Sequence, residues 1–215
     1  MKNTLLVLAT LTLGLPSLRA SIVITEVMSS EGAGQTYAAD WFELTNTGPS
    51  SISIAGWKMD DNSNLFANAV SLTGVTSIAA GQSVVFVEGS ATTQTAFVNS
   101  WFGGTAPAGF SIGSYSGSSV SLSSTTDAVN IYDSGGTLQA NVVFQAATTG
   151  VSFDNAAGLN NATISATSVV GTNGAFAAPG PSTEIGSPGA VPEPSSALLL
   201  AGGAAVLGFR RRRAA

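Results

Sequence analysis

The chain has 215 residues, of which 44% are hydrophobic and only 9% are charged, and its formal net charge is −5. It contains no cysteine and no histidine, which excludes disulfides, lipid attachment through cysteine, Ser-His-Asp and Cys-His catalysis, and the common zinc ligand sets. Residues 21–189 carry eleven acids and a single cation, Lys58, so their formal charge is −10. That charge gives no basic surface for nucleic acid or for anionic polymers.

The first twenty residues have the pattern of a secretory signal peptide. Lys2 supplies the positive end, residues 5–15 are apolar, and Ala20 is a small residue at a cleavage point before Ser21. We therefore predict a signal peptide over residues 1–20 and a mature chain that starts at Ser21. Residues 21–189 then form one domain, which is long enough to bury a core without disulfides.

Short alternating segments, broken by Gly, Ser, Thr and Asn, dominate residues 21–189. Residues 21–28, 82–87 and 128–132 are rich in β-branched side chains and are predicted strands. The glycines of Asp133-Ser134-Gly135-Gly136 can adopt the positive φ of a tight connection, which predicts a hairpin between residues 129–132 and 138–144. Residues 150–188 are interpreted as loop with one or two edge strands. Many short strands with turns between them favour a β-sandwich.

One segment has helical spacing. Between residues 92 and 102, Phe97 and Trp101 lie four residues apart, Ser90 precedes the segment as a cap, and Gly103-Gly104 follows it. This pattern predicts a single short helix. It also places Trp101 against Phe97 on one helix face, which indicates core packing.

The other two tryptophans pose a choice between core and ligand site. Trp57 follows the predicted strand at residues 52–54 and is expected in the core, whereas Trp41 is the least constrained. Since exposed tryptophans stack on sugars, a lectin-like role requires at least one of the three at the surface.

Two acids on adjacent predicted strands are the candidates for catalysis. Glu26 and Glu43 could act as the paired carboxylates of a glycosidase. The alternative, which we favour, is that both accept hydrogen bonds from backbone or hydroxyl groups at a sheet edge. An open acidic cleft around the pair would indicate an enzyme.

A third candidate site is a calcium loop at Asp60-Asp61-Asn62-Ser63-Asn64. Asp60, Asn62 and Asn64 have the alternate spacing of the first three calcium ligands of an EF-hand loop, but Leu65 and Ser71 replace its glycine and glutamate. The alternative is an Asx-rich turn whose side chains bond their own backbone. Metal and cofactor are therefore expected to be absent, with calcium at Asp60, Asp61, Asn62 and Asn64 kept as a test.

Several segments resemble, in order, the successive strands of a lamin tail domain. They are Ile24-Thr25-Glu26-Val27-Met28, Asp40-Trp41-Phe42-Glu43-Leu44-Thr45-Asn46-Thr47-Gly48, Ile52-Ser53-Ile54-Ala55-Gly56-Trp57, Ile78-Ala79-Ala80-Gly81-Gln82-Ser83-Val84-Val85-Phe86 and the hairpin segment at residues 126–136. Ser187-Pro188-Gly189 is similar to the usual exit of the family. The resemblance implies an all-β, immunoglobulin-like sandwich of lamin-tail type, here with one short helix, which acts as an adhesive or accessory module.

The last 26 residues resemble the PEP-CTERM sorting signal of Gram-negative bacteria that make exopolysaccharide. Pro192-Glu193-Pro194 is followed by an apolar run at residues 195–209 and by Arg210, Arg211, Arg212 and Arg213. As a helix the run would be about 22 Å long, which is short against a hydrocarbon core of about 30 Å. The arginines after the run would stay in the cytoplasm, so the chain before the run would lie on the opposite side of the membrane. An ordinary short anchor helix is the alternative.

The resemblance to the sorting signal implies recognition by an exosortase-type transpeptidase, cleavage near Pro192-Glu193-Pro194 and release or attachment at the cell surface. Together these features predict an exported, non-enzymatic surface or matrix protein, with apolar helices only in its signal peptide and tail. Any glycan that the protein binds, such as a surface polysaccharide, is expected to be neutral or bridged by a divalent ion. The rival is an exported carbohydrate-active enzyme or a calcium-dependent adhesin.

Overall fold

A computed structural model describes residues 21–32, 34, 36–117, 119–180 and 184–190. The predicted signal peptide and all of the predicted sorting tail after Ala190, with their predicted apolar helices, lie outside these residues. The elements are β1 (Ile22–Met28), β2 (Trp41–Asn46), β3 (Ile52–Ser53), β4 (Lys58–Asp60), β5 (Val70–Ser71), β6 (Ser77–Ile78), β7 (Ser83–Glu88), α1 (Ala91–Phe102), β8 (Ile112–Tyr115), β9 (Asp127–Tyr132), β10 (Leu138–Phe144), β11 (Phe153–Asp154), β12 (Ala162–Ile164), β13 (Phe176–Ala177) and β14 (Ile185–Gly186).

Two five-stranded sheets form the predicted sandwich. The first has the order β11-β1-β2-β7-β8 and the second has the order β12-β10-β9-β4-β5, while β13-β14 and β3-β6 are small two-stranded sheets. Most pairs are antiparallel, and β7-β8 and β10-β12 are parallel. The all-β, immunoglobulin-like sandwich expected from the sequence is confirmed.

The first sheet is buried on both faces. Side chains such as Ile24 and Phe42 point into the core between the sheets and meet Val129 and Val142 of the second sheet. We call the opposite face of the first sheet its outer face. It is covered by α1 and by a segment near the C-terminal end of the sandwich that includes Phe176 and Ala178. Every residue of β1 and β2 is buried for this reason, although a sheet with one solvated face would alternate apolar and polar side chains.

The predicted helix is confirmed as α1, beginning one residue earlier than expected. The backbone N–H of Ser90 donates to Thr93 Oγ1 at 3.2 Å, which satisfies a donor at the helix start. Gly103 ends the helix with φ of 63°, a left-handed conformation that favours glycine. Within the part of the chain that is described, no helix is long and apolar enough to cross a membrane.

The predicted hairpin is also confirmed, between β9 and β10. The backbone N–H of Asp133 donates to the Thr137 carbonyl at 2.9 Å, and Gly136 has φ of 84°. The prediction for residues 150–188 is incomplete, because this stretch holds four short strands. Two of these, β11 and β12, pair with β1 and β10 and so complete both sheets.

Candidate functional site

A β-bulge in β1 brings two polar side chains to the outer face of the first sheet. The register places Glu26 opposite Glu43, and it shifts between Ile24 and Glu26 so that Thr25 is the extra residue. A bulge leaves two residues opposite one. Thr25 and Glu26 therefore both reach the outer face, where strict alternation would have turned Glu26 into the apolar core.

Glu26 binds the chain where it leaves the sandwich. We call residues 184–190 the exit segment. The backbone N–H of Ser187 donates to Glu26 Oε1 at 2.7 Å, and Ser187 Oγ donates to Oε2 at 3.1 Å. Ser152 Oγ also donates to Oε1 and contacts Ser168 Oγ at 2.8 Å. Three groups from two segments thus converge on one buried carboxyl.

Glu43 binds the next part of the same segment. Its Oε2 accepts the backbone N–H of Gly189, and its Oε1 lies 2.7 Å from Thr25 Oγ1. A row of hydroxyls continues from Thr25 across the sheet to the end of the exit segment. Its links are Thr25 Oγ1 to Thr45 Oγ1 at 2.9 Å, Thr45 Oγ1 to Ser83 Oγ at 2.6 Å, and Ser83 Oγ to the Ala190 carbonyl at 3.0 Å.

Burial dominates the acidity of the pair. Loss of solvation raises the pKa of Glu26 from 4.5 to about 7, against hydrogen bonds from Ser152 and Ser187 that lower it. Loss of solvation, followed by the charge of Glu26, raises the pKa of Glu43 to about 8. Two carboxyls facing each other in a medium of low polarity cannot both ionise easily. The pair therefore keeps a proton at neutral pH.

A third buried acid anchors the start of the exit segment. Glu184 accepts the backbone N–H of Gly32 at 2.9 Å and the hydroxyl of Tyr37 at 2.7 Å. Trp101 Nε1 donates to the same Tyr37 oxygen at 3.2 Å. Burial raises the pKa of Glu184 above its ordinary value and the pKa of Tyr37 far above its own. The exit segment is therefore fixed at both ends.

Close packing of the exit segment predicts a large effect at one glycine. A Cβ added at Gly186 would lie 2.7 Å from Glu26 Oε1 and 2.9 Å from Trp101 Cη2. We expect Gly186→Ala to reduce the free energy of unfolding by about 1–3 kcal/mol, because neither neighbour can move without losing contacts. Denaturant unfolding would measure the loss. Gly135→Ala is the control, since its Cβ would meet only Asp133 Oδ1, at 3.3 Å in an exposed hairpin.

The structure places the predicted carboxylate pair on adjacent strands, as expected, but not at a sheet edge. β1 and β2 are interior strands. Glu26 and Glu43 are each 1% exposed. The hydrogen bonds to hydroxyl and backbone groups that we favoured are present, whereas the acidic cleft that would indicate an enzyme is not open at this pair. Sequence reasoning missed Ser152 and Ser187 as partners of Glu26. It also missed the hydroxyl row through Thr45 and Ser83, and the third buried acid, Glu184.

The predicted calcium loop follows β4 and has the contacts of an Asx-rich turn. Asp60 Oδ2 accepts Ser63 Oγ and the backbone N–H of Leu65, both at 2.8 Å, while Asp61 Oδ1 accepts the backbone N–H of Ser63. Asp60 Oδ1 is buried without a hydrogen-bond partner among the described residues. In the same part of the chain, no three acidic, His or Cys side chains are grouped to hold a metal. Calcium binding stays a prediction.

The loop borders a polar cleft of about 300 Å³ on the second sheet. Its amide-bearing lining comes from Asn62, Asn64, Asn130 and Asn141, beside Asp127. Tyr132 donates its hydroxyl to Asn64 Oδ1 at 2.6 Å, which fixes one of these amides. The cleft offers hydrogen-bonding groups without an aromatic face.

All three tryptophans are buried. Trp57 lies in the core between the sheets, and Trp101 packs under α1, both as predicted. Trp41, which the sequence left open, is fully buried beside Trp101 with ring centres 5.7 Å apart. Stacking on sugars through tryptophan, the lectin-like reading, is therefore wrong.

Comparison with known families agrees with this architecture. The lamin tail domain model matches residues 16–146, more than half of the chain. The chain belongs to the lamin tail domain family. This is a family of immunoglobulin-like binding or structural domains without catalytic activity of their own. The lamin tail match ends before β11, so the last strands of both sheets and the exit segment lie beyond it.

A second match identifies the tail. The PEP-CTERM protein-sorting motif covers residues 190–213 and includes Pro192-Glu193-Pro194 and the four arginines. The motif marks an exported, transiently membrane-anchored protein that an exosortase processes. In this lamin tail protein the motif starts at Ala190, the residue whose carbonyl Ser83 holds. No curated protein matches the chain.

Proposed function

We propose that this chain is a non-enzymatic binding or structural module at the cell surface or in the extracellular matrix of a Gram-negative bacterium. An exosortase-type transpeptidase removes its tail near Pro192-Glu193-Pro194. The observation that carries the proposal is a sorting motif that starts at Ala190, where the exit segment of the closed sandwich ends.

The geometry of the carboxylate pair supports a non-enzymatic role. A glycosidase needs one acid near the leaving-group oxygen and a second that a substrate or water can reach. Here the exit segment occupies the space over Glu26 and Glu43 through Ser187 and Gly189. The acids are used to bind the chain itself.

The ligand class follows from charge and from the polar cleft. Residues 21–189 carry one cation, Lys58, and its Nζ lies 4.9 Å from the centre of the Phe66 ring. Binding to DNA, heparin-like chains or anionic lipid requires several basic contacts. A neutral surface polysaccharide fits better, and the amides around Asn62 and Asn141 offer donors and acceptors for its hydroxyl groups.

A second candidate is calcium-dependent adhesion, favoured by the unpaired Asp60 Oδ1. Asp60→Ala would also remove the hydrogen bonds from Ser63 and Leu65. The variant would therefore lose stability whether or not calcium binds, and its melting temperature without calcium does not test the site. The informative quantity is the calcium-induced rise in melting temperature. If calcium binds, the double variant Asp60→Ala/Asp61→Ala abolishes that rise.

A glycan array run with calcium, with chelator and at high salt tests the proposed ligand class. We expect no salt-sensitive binding to anionic glycans. Any binding to neutral glycans should persist at high salt. Loss of neutral-glycan binding in chelator would indicate the calcium-dependent adhesin. Strong binding to anionic glycans in chelator, lost at high salt, would contradict the electrostatic argument. If no glycan binds under any of these conditions, a purely structural role is favoured.

A further inference from the structure

The hydroxyl row on the outer face of the first sheet has fewer protons than hydrogen bonds. It has four links, from Glu43 to Thr25, to Thr45, to Ser83 and to the Ala190 carbonyl. Each of the three hydroxyls can donate only one proton. The carbonyl at the end of the row can only accept.

With Glu43 ionised, Thr25 donates to it and one of the four links lacks a proton. Four simultaneous hydrogen bonds therefore require donation to run from Glu43 toward the exit segment. Ser83 donates to the carbonyl of Ala190, so it must accept from Thr45. Thr45 must then accept from Thr25, which uses the only proton of Thr25. The fourth link is complete only when Glu43 Oε1 carries a proton and donates it to Thr25. Glu43 Oε2 still accepts the backbone N–H of Gly189.

Glu26 has the opposite requirement. The backbone N–H and Oγ of Ser187 and the Oγ of Ser152 all approach its carboxyl oxygens as donors. This environment suits a carboxylate that accepts. The two facing acids thus have separate roles: Glu26 loses its proton first and accepts, whereas Glu43 keeps its proton to higher pH and donates.

We propose that Glu26, Glu43 and the Thr25-Thr45-Ser83 row form a proton-dependent latch that binds the exit segment of this chain and releases residues 187–190 when Glu43 loses its proton. An ionised Glu43 faces the carboxylate of Glu26 across two paired strands and leaves the hydroxyl row one proton short. The repulsion between the two carboxylates and the burial of a second charge disfavour the closed form, and the missing proton breaks the hydroxyl row that ends at Ala190.

Among the residues that the structure describes, no cation near the pair compensates the second negative charge. Besides Glu43, the charged group that acts on Glu26 is Asp154 of β11, which also disfavours ionisation. From α1, the neutral Trp101 lies beside Gly186, which also lies beside Glu26 Oε1. Lys58, the single cation of residues 21–189, is on the second sheet. Burial and the charge of Glu26 therefore outweigh the hydrogen bond from Gly189, and deprotonation of Glu43 opposes docking.

The latch also limits access to the processing region. Pro194 lies four residues beyond Ala190, so it can extend at most about 14 Å from the latched chain. While the latch is closed, a processing enzyme must work within that distance of the folded body. This consequence depends on the proposed function, whereas the latch itself can be tested without any enzyme.

Hydrogen exchange of the full-length chain, followed by mass spectrometry of the peptide that contains residues 187–190, tests the latch. The protection factor corrects for the intrinsic pH dependence of exchange. We expect protection of this peptide to fall by about tenfold or more between about pH 6 and about pH 9, since each proton lost favours the open form. The carboxyl ¹³C titration of Glu43 should end above neutral pH.

Two Glu→Gln variants separate the latch from general effects. In Glu43→Gln, the amide donates to Thr25 and accepts from Gly189 as the protonated acid does, so the part of the pH dependence that Glu43 causes should be lost and only the part that Glu26 causes should remain. Glu88→Gln, in the same sheet at the other end of β7 from Ser83, should keep the pH dependence of the parent. An exit peptide equally protected at both pH values would overturn the latch. Titration of Glu43 near 4.5 in the parent would overturn it even if the Glu43→Gln variant did not fold.

Discussion

Trp101→Ala should cost the domain a large part of its stability. Trp101 is fully buried and packs against Trp41, Phe97 and Phe176, with ring centres 5.6–5.9 Å apart. Truncation of a buried tryptophan costs about 3–5 kcal/mol, out of a total of about 5–15 kcal/mol for a typical domain. The variant also loses the hydrogen bond from Trp101 to Tyr37, which supports Glu184.

Thermal and denaturant unfolding would measure this effect. For a domain of this size the loss corresponds to a fall in melting temperature of about 6–20 °C. Leu65→Ala is the matched control, because Leu65 is 56% exposed and its truncation should change stability by less than about 0.5 kcal/mol. A Trp101→Ala variant that melts within about 2 °C of the parent would show that α1 is not packed on the sheet.

The parts of the fold that sequence reasoning predicted are those set by local chemistry. The hairpin depends on the glycines around Gly136, and α1 depends on Ser90 before it and Gly103 after it. The placement of Trp57 in the core followed from a strand that precedes it. Each of these signals lies within a few residues of the element that it determines.

The failures have a common physical cause, which is long-range packing on the outer face of the first sheet. The sequence of β1 and β2 does not show what covers these strands, so it does not place Trp41 in the core or Glu26 in the interior of the sheet. The cover comes from α1 and from residues more than 140 positions away, such as Gly189 on Glu43. No glycine or proline at Thr25 marks the β-bulge in the sequence, so the bulge could not be predicted from it. The hydroxyl row of Thr45 and Ser83 resembles ordinary polar strand positions.

The Asp60 loop illustrates a different difficulty. Calcium loops and Asx-rich turns use the same oxygen-bearing residues, and the two differ in where those oxygens point. The Oδ2 of Asp60 is used by the turn, whereas its Oδ1 is unpaired among the described residues. Spacing of residues alone could not separate these cases.

Intact-mass spectrometry of the cell-surface fraction tests most directly the claim that this lamin tail protein is exported and loses its tail. We expect one mature species that begins near Ser21 and ends near Pro194, without the four arginines. A variant with alanine at Pro192, Glu193 and Pro194 is the control, and it should keep its tail and remain in the membrane fraction. A stable surface species of the parent chain that retains Arg210 to Arg213 in a host with an active exosortase would contradict the account.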